Sequence, residues 1–139
     1  MIDFDIHFGA FFLSGIFAFI LGVIWYHPKV MGEKWMAARG VKKDKIDQSA
    51  LPFVASLFLW LLSACFYAFL ASFLEINTAS GYFALSCLLW VAFAMPPALM
   101  GALYTGYPFE AVAIDTSYQL GGYYMFAAVH IIFLQMGVL

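Results

Sequence analysis

Apolar residues fall into long runs separated by short polar breaks, a pattern that predicts membrane-crossing helices and no strands. The first run, Phe8 to Tyr26, has nineteen residues. At about 1.5 Å per residue it reaches roughly 28 Å, close to a bilayer's hydrocarbon thickness. Similar runs predict spans over residues 8–26, 50–74, 82–104 and 112–137. Between the first two, Val30, Met31, Trp35 and Met36 share one helical side while Glu33, Lys34 and Arg39 lie elsewhere, predicting a short interfacial helix that Gly40 stops. Asp47 or Ser49 is placed to cap the second span, and Pro52 suits its first turn. The turn from Glu75 to Gly81 makes spans two and three antiparallel neighbours. The expected fold is all-α: a four-helix integral membrane bundle, one domain over residues 1–139, with a short interfacial helix between spans one and two.

Two features modify this outline. Pro96 and Pro97 sit inside span three and deprive the carbonyls of Ala92 and Phe93 of helical donors, which predicts a kink. Rows of small residues (Ser14, Ala18 and Gly22; Ala64, Ala68 and Ser72; Ala94, Ala98 and Ala102), with Gly121 and Gly122, predict faces for close helix contact.

Charge then orients the chain. All six Lys and Arg residues lie between Lys29 and Lys45, and the composition is 65% hydrophobic and only 10% charged. Soluble domains carry about a quarter charged residues. Positive segments beside spans stay in the cytoplasm, so the Lys29–Lys45 loop is expected inside, with both termini outside an inner membrane. The acidic residues Asp3 and Asp5 precede the first run, and WYHPK follows it, which favours a retained span over a cleaved signal peptide. With no basic face on a soluble domain, nucleic acid is not an expected partner. Cys65 and Cys87 both fall inside apolar runs and form no metal-ligand or disulfide pattern.

Chemistry has to reside in the few polar groups of the spans. Asp115 and Gln119 are one turn apart on span four, with Tyr118 beside them. A helix starting at Phe109 makes Asp115 an intramembrane carboxylate, whereas one starting near Thr116 makes it a cap. His130 lies roughly 22 Å further along the same axis and is expected to bond a neighbouring helix. Asp115, Gln119, Tyr118, His130, Pro96 and Pro97 are the candidate polar or transport residues. Trp25, Tyr26, His27 and Trp35 are candidate interfacial contacts for lipid or a partner. Ser63, Ser86 and Ser117 lack any nearby His with Asp, and no cofactor or metal is implied.

The stretches LGVIWYHP (Leu21 to Pro28), MGEKWMAARG (Met31 to Gly40) and FEAVAIDTSYQLGGYYM (Phe109 to Met125) resemble a bacterial membrane family catalogued as domain of unknown function 1761. Gly22, Trp25, Tyr26, Pro28, Gly32, Trp35, Met36 and Gly40 match its first two motifs, and Asp115, Tyr118 and Leu120 its third. His27, Met31 and Glu110 depart from it. The resemblance implies a small four-span inner-membrane protein and carries no activity.

Three functional expectations follow. The first is non-enzymatic: a homo-oligomer or an accessory subunit of a membrane assembly. The second is a small oligomeric transporter or channel using Asp115, Gln119 and the Pro96-Pro97 break. The third, a membrane enzyme acting on lipid or quinone, places a headgroup or ring near Trp25, Tyr26, His27 and Trp35.

Overall fold

The computed structural model describes residues 6–46 and 48–139, and every regular element among them is helical. Helix α1 (Phe8–Trp25) begins at His7, whose Nδ1 accepts the Ala10 amide, and ends where Tyr26 caps it. Pro28 opens the next element rather than only closing the last. Pro28–Gly32 forms one wide turn, in which the Gly32 amide bonds the His27 carbonyl five residues back. Helix α2 (Glu33–Arg39) follows directly and stops at Gly40, whose φ of 64° suits a residue without Cβ.

Helix α3 (Leu51–Phe73) carries Pro52 in its first turn, as expected. Its N-cap position is Ala50, with no side-chain cap, which moves the boundary past Ser49; Asp47 lies outside the described residues. Thr78 then starts helix α4 (Ala79–Leu89) by accepting the Gly81 amide on its hydroxyl, three residues earlier than the apolar run suggests. The polar turn itself supplies the first helical residues.

The kink at the double proline takes a specific form. Residues Trp90–Ala94 widen into a π turn before helix α5 (Met95–Thr105), and the Met95 amide bonds the Trp90 carbonyl. Opening the turn accommodates the two missing donors without leaving α-helical geometry abruptly. Helix α6 (Phe109–Gln135) runs unbroken from the residue after Pro108.

Three helical stretches are long and apolar enough to cross a membrane: Phe8–Trp25, Leu51–Phe73 and Ala79–Thr105. Helix α6 is as long but carries Glu110, Asp115, Gln119 and His130. It can do so because it is the most enclosed helix, packed along α1 and α4, with Phe126 and Ala127 almost wholly buried. Helix α3 lies against α1.

Close approach depends on the small residues, with one correction. Ser14, Ala18 and Gly22 are all buried on α1, as are Ala64 and Ala68 on α3, where Ala71 rather than Ser72 completes the packed face. The row Ala94, Ala98 and Ala102 is not such a face, for α5 buries no residue. Large apolar side chains instead cover the outside: Phe58, Leu62 and Phe66 on α3 and Leu103 on α5 are more than half exposed.

Candidate functional site

Asp115 lies in the second turn of α6, because the helix starts at Phe109 and not near Thr116. It is therefore an inward-facing carboxylate rather than a cap. The hydroxyl of Tyr26, at the end of α1, donates to its Oδ1 at 2.6 Å, and that of Tyr107, in the turn before α6, to its Oδ2 at 2.8 Å. One carboxylate thus ties three chain segments together with charge-assisted bonds. Burial, then the bond and charge of Asp115, push the Tyr107 phenol above its ordinary value, while Arg39 pulls it down. The Arg39 guanidinium sits 4.7 Å from the Trp35 ring centre and 5.2 Å from that of Tyr107, which fastens α2 over this junction.

An aromatic chain continues inward. The Tyr26 ring meets Trp35 and Tyr118 edge-on, at centroid distances of 5.8 and 5.3 Å. Tyr118 accepts the Trp60 indole N–H and donates to the Ala18 carbonyl. Trp25 donates its own N–H to the Ile114 carbonyl at 3.2 Å. The glycines explain how backbones come so close. A Cβ at Gly22 would run into the Tyr118 hydroxyl, one at Gly32 into the Tyr26 carbonyl, and one at Gly122 into the Trp60 ring.

Beside this junction lies an open cavity of about 780 Å³, walled by α1, α2 and the start of α3. Its lining is mostly apolar and aromatic: Phe19, Val23, Tyr26, Trp35, Met36, Phe53 and Tyr118, with Lys43, Gln48 and Ser56 as polar edges. The Trp35 Nε1–H is buried with no acceptor in bonding geometry among the described residues, although the Tyr107 hydroxyl lies near enough to feel its dipole. Such a concave apolar space with few converging polar groups is the form a small-molecule site takes.

Of the residues singled out in the sequence, Trp25, Tyr26, Trp35, Asp115 and Tyr118 form this one junction, and His27 lines the cavity while its Nδ1 accepts the Lys29 amide. The others are elsewhere. The Gln119 Oε1 is buried without a partner among the described residues, and Gln119 lines neither this cavity nor the one described below. Pro96 and Pro97 line neither as well. His130 occupies the opposite end of α6, and its Nδ1 bonds the Phe126 carbonyl of its own helix at 2.8 Å rather than a neighbouring helix. Its ring rests between those of Tyr67 and Tyr82. Cys65 and Cys87 are free thiols.

Tyr107 and Trp60 were not singled out in the sequence. Tyr107 has no periodic relation to Asp115, since a turn lies between them. Trp60 did carry a signal: a Trp ten residues inside an apolar run is far from the interface and needs an acceptor for its N–H.

No curated protein and no solved structure matches the chain. The family model described as protein of unknown function (DUF1761) matches residues 10–131, from the first turn of α1 to near the end of α6. The three motif stretches that suggested this family converge on the Tyr26–Asp115 junction and its cavity, and the chain belongs to the DUF1761 family.

Proposed function

We propose that the chain is a four-span inner-membrane protein, with the Lys29–Lys45 loop in the cytoplasm and α2 at the membrane interface. In this reading it acts by binding an amphiphile in the cavity beneath that loop. The carrying observation is the cavity's chemistry: an aromatic and aliphatic interior next to Tyr26 and Trp35, edged by Lys43, Gln48 and His27. Apolar walls suit an acyl chain or a flat ring, and the polar edge suits a headgroup. Binding rather than catalysis is favoured because both Asp115 oxygens already accept tyrosine hydroxyls. A carboxylate so engaged acts as an anchor.

Photolabelling in liposomes tests this reading. A lipid carrying a photoreactive group on its acyl chain is expected to label peptides containing Val23, Met36 and Phe53. Labelling restricted to the outward residues Phe58, Leu62 and Phe66 would overturn it.

An oligomeric or accessory role is compatible with the same binding site. Its support is α5, which buries no residue and presents Met100, Leu103 and Tyr104 outward. Transport through Asp115, Gln119 and the double proline has less support, because neither cavity brings the three together. Solute flux in liposomes that is abolished in Asp115→Asn would restore it.

A further inference from the structure

A second cavity, of about 240 Å³, lies at the other end of the helices from the Lys/Arg segment. It is enclosed by the start of α1, the end of α3, the start of α4 and the last turns of α6, and its polar lining is His7, Ser72, Glu75, Tyr82 and His130. Nothing in the reading above uses it.

His130 sets its character. The residue is only 2% exposed, and its Nδ1 lies 2.8 Å from the Phe126 carbonyl oxygen. A carbonyl can only accept, so Nδ1 carries the ring proton and Nε2 is left as a bare acceptor. That Nε2 is buried and has no partner among the described residues. An acceptor in this state costs free energy unless something donates to it. Glu75, at the exposed rim, is also among the residues lining the cavity. His7 accepts the Ala10 amide on Nδ1 and so has its Nε2–H as a donor, but a bare acceptor and an acidic residue on the same lining disfavour an anion. A metal ion is not favoured either, because among the described residues no three His, Cys, Asp or Glu side chains come together to hold one. A small cation that can donate several hydrogen bonds matches the lining.

We propose that this cavity binds a primary ammonium group, which donates one N–H to His130 Nε2 and places its charge against Glu75. Tyr82 and Ser72 offer hydroxyl acceptors for the remaining N–H bonds. The ligand is either a free primary amine or the ethanolamine headgroup of a phospholipid; the recognising chemistry is the same. A quaternary ammonium has the charge but no N–H to give.

The test uses the full chain in nanodiscs. In phosphatidylcholine discs, free ethanolamine is expected to raise the unfolding temperature, and choline at equal concentration to leave it unchanged. In discs of mixed phosphatidylethanolamine and phosphatidylcholine, native mass spectrometry is expected to show the ethanolamine lipid retained in preference. Stabilisation by free ethanolamine without lipid enrichment assigns the site to a soluble amine. Lipid enrichment without an effect of the free amine assigns it to the headgroup. Glu75→Gln, at an exposed turn, is expected to fold normally and weaken either effect by about tenfold. His130→Gln, which keeps an acceptor of similar reach, serves where larger changes would unfold the chain, and is expected to retain part of the binding. The proposal is overturned if neither probe binds, if choline matches ethanolamine, or if Glu75→Gln binds like the parent protein.

Discussion

The Tyr26 hydroxyl donates to Asp115 Oδ1 across 2.6 Å, joining two positions 89 residues apart. This contact fixes the exit of α1 against the second turn of α6, and Tyr107 closes the same carboxylate from the other side. Hydrogen bonds between transmembrane side chains average about 0.6 kcal/mol, whereas bonds to a charged acceptor reach about 1.5–3 kcal/mol. Tyr26→Phe is therefore expected to cost about 1.5 kcal/mol or more, toward the charged-acceptor range. A double-mutant cycle with Asp115→Asn, read from unfolding in mixed micelles, should give a coupling of at least about 1 kcal/mol. Additive effects would show that the bond does not contribute.

Gly22 is a packing requirement and Gly101 is not. A Cβ at Gly22 meets the Tyr118 ring, while one at Gly101 meets nothing within 4 Å. Gly22→Ala is expected to destabilise by about 1–3 kcal/mol, because Tyr118 must leave its bonds to Trp60 and Ala18. Gly101→Ala is expected to be neutral or to stabilise by about 0.5–1 kcal/mol through reduced chain entropy. Thermal unfolding of the two variants side by side checks the contrast.

Alkaline titration reports on the junction from the water side. Burial, and after it Asp115, raise the Tyr107 phenol above its usual value, so the folded protein holds it neutral where the unfolded chain ionises. The resulting stability is complete below the unfolded phenol value of about 10, and is lost as pH rises from there through the higher folded value. Tyrosinate absorbance, differenced against Tyr107→Phe, is expected to show Tyr107 titrating above 10. In Asp115→Asn that titration should move down, since a negative neighbour is gone. In Arg39→Gln it should move up, since a positive one is gone.

The long apolar runs were legible because a bilayer demands about 20 apolar residues and a bounded helix length. Phe8–Trp25 and Leu51–Phe73 fall within a residue of the stretches the sequence predicts. The start of α6 was open between Phe109 and Thr116, since Pro108 with Glu110 and the Asp-Thr-Ser triplet are both good starting chemistry. Packing decides between them: Ala111 and Val112 are buried, so the earlier turn is held by its neighbours. The small row on α5 misled for a related reason. Small residues permit close contact but do not supply a partner, and the π turn at Trp90–Ala94 precedes a helix that buries nothing. The site was half legible. Trp25, Tyr26, Trp35 and Asp115 stand in motifs, whereas the Tyr107 bond and the cavity walls depend on how α2 folds back against α6, which no local period encodes.

Filling the cavity should separate its role from that of the junction. Ser56 lines the cavity from α3 and has no part in the Asp115 bonds. Ser56→Phe is expected to leave the unfolding temperature close to the parent value, as the site has open volume to receive the ring, while abolishing photolabelling at Val23 and Met36. Loss of stability together with labelling would show that the position serves packing.

Native mass spectrometry of the protein released gently from its own membrane tests the central claim most directly. The account predicts that each chain retains an amphiphile in the first cavity, at a mass shift that disappears in Ser56→Phe, apart from any ethanolamine lipid held at the second cavity and whatever the number of chains or partner polypeptides in the particle. Bare chains in the parent protein, or a set of adducts wholly unchanged in Ser56→Phe, would contradict a binding role for the first cavity.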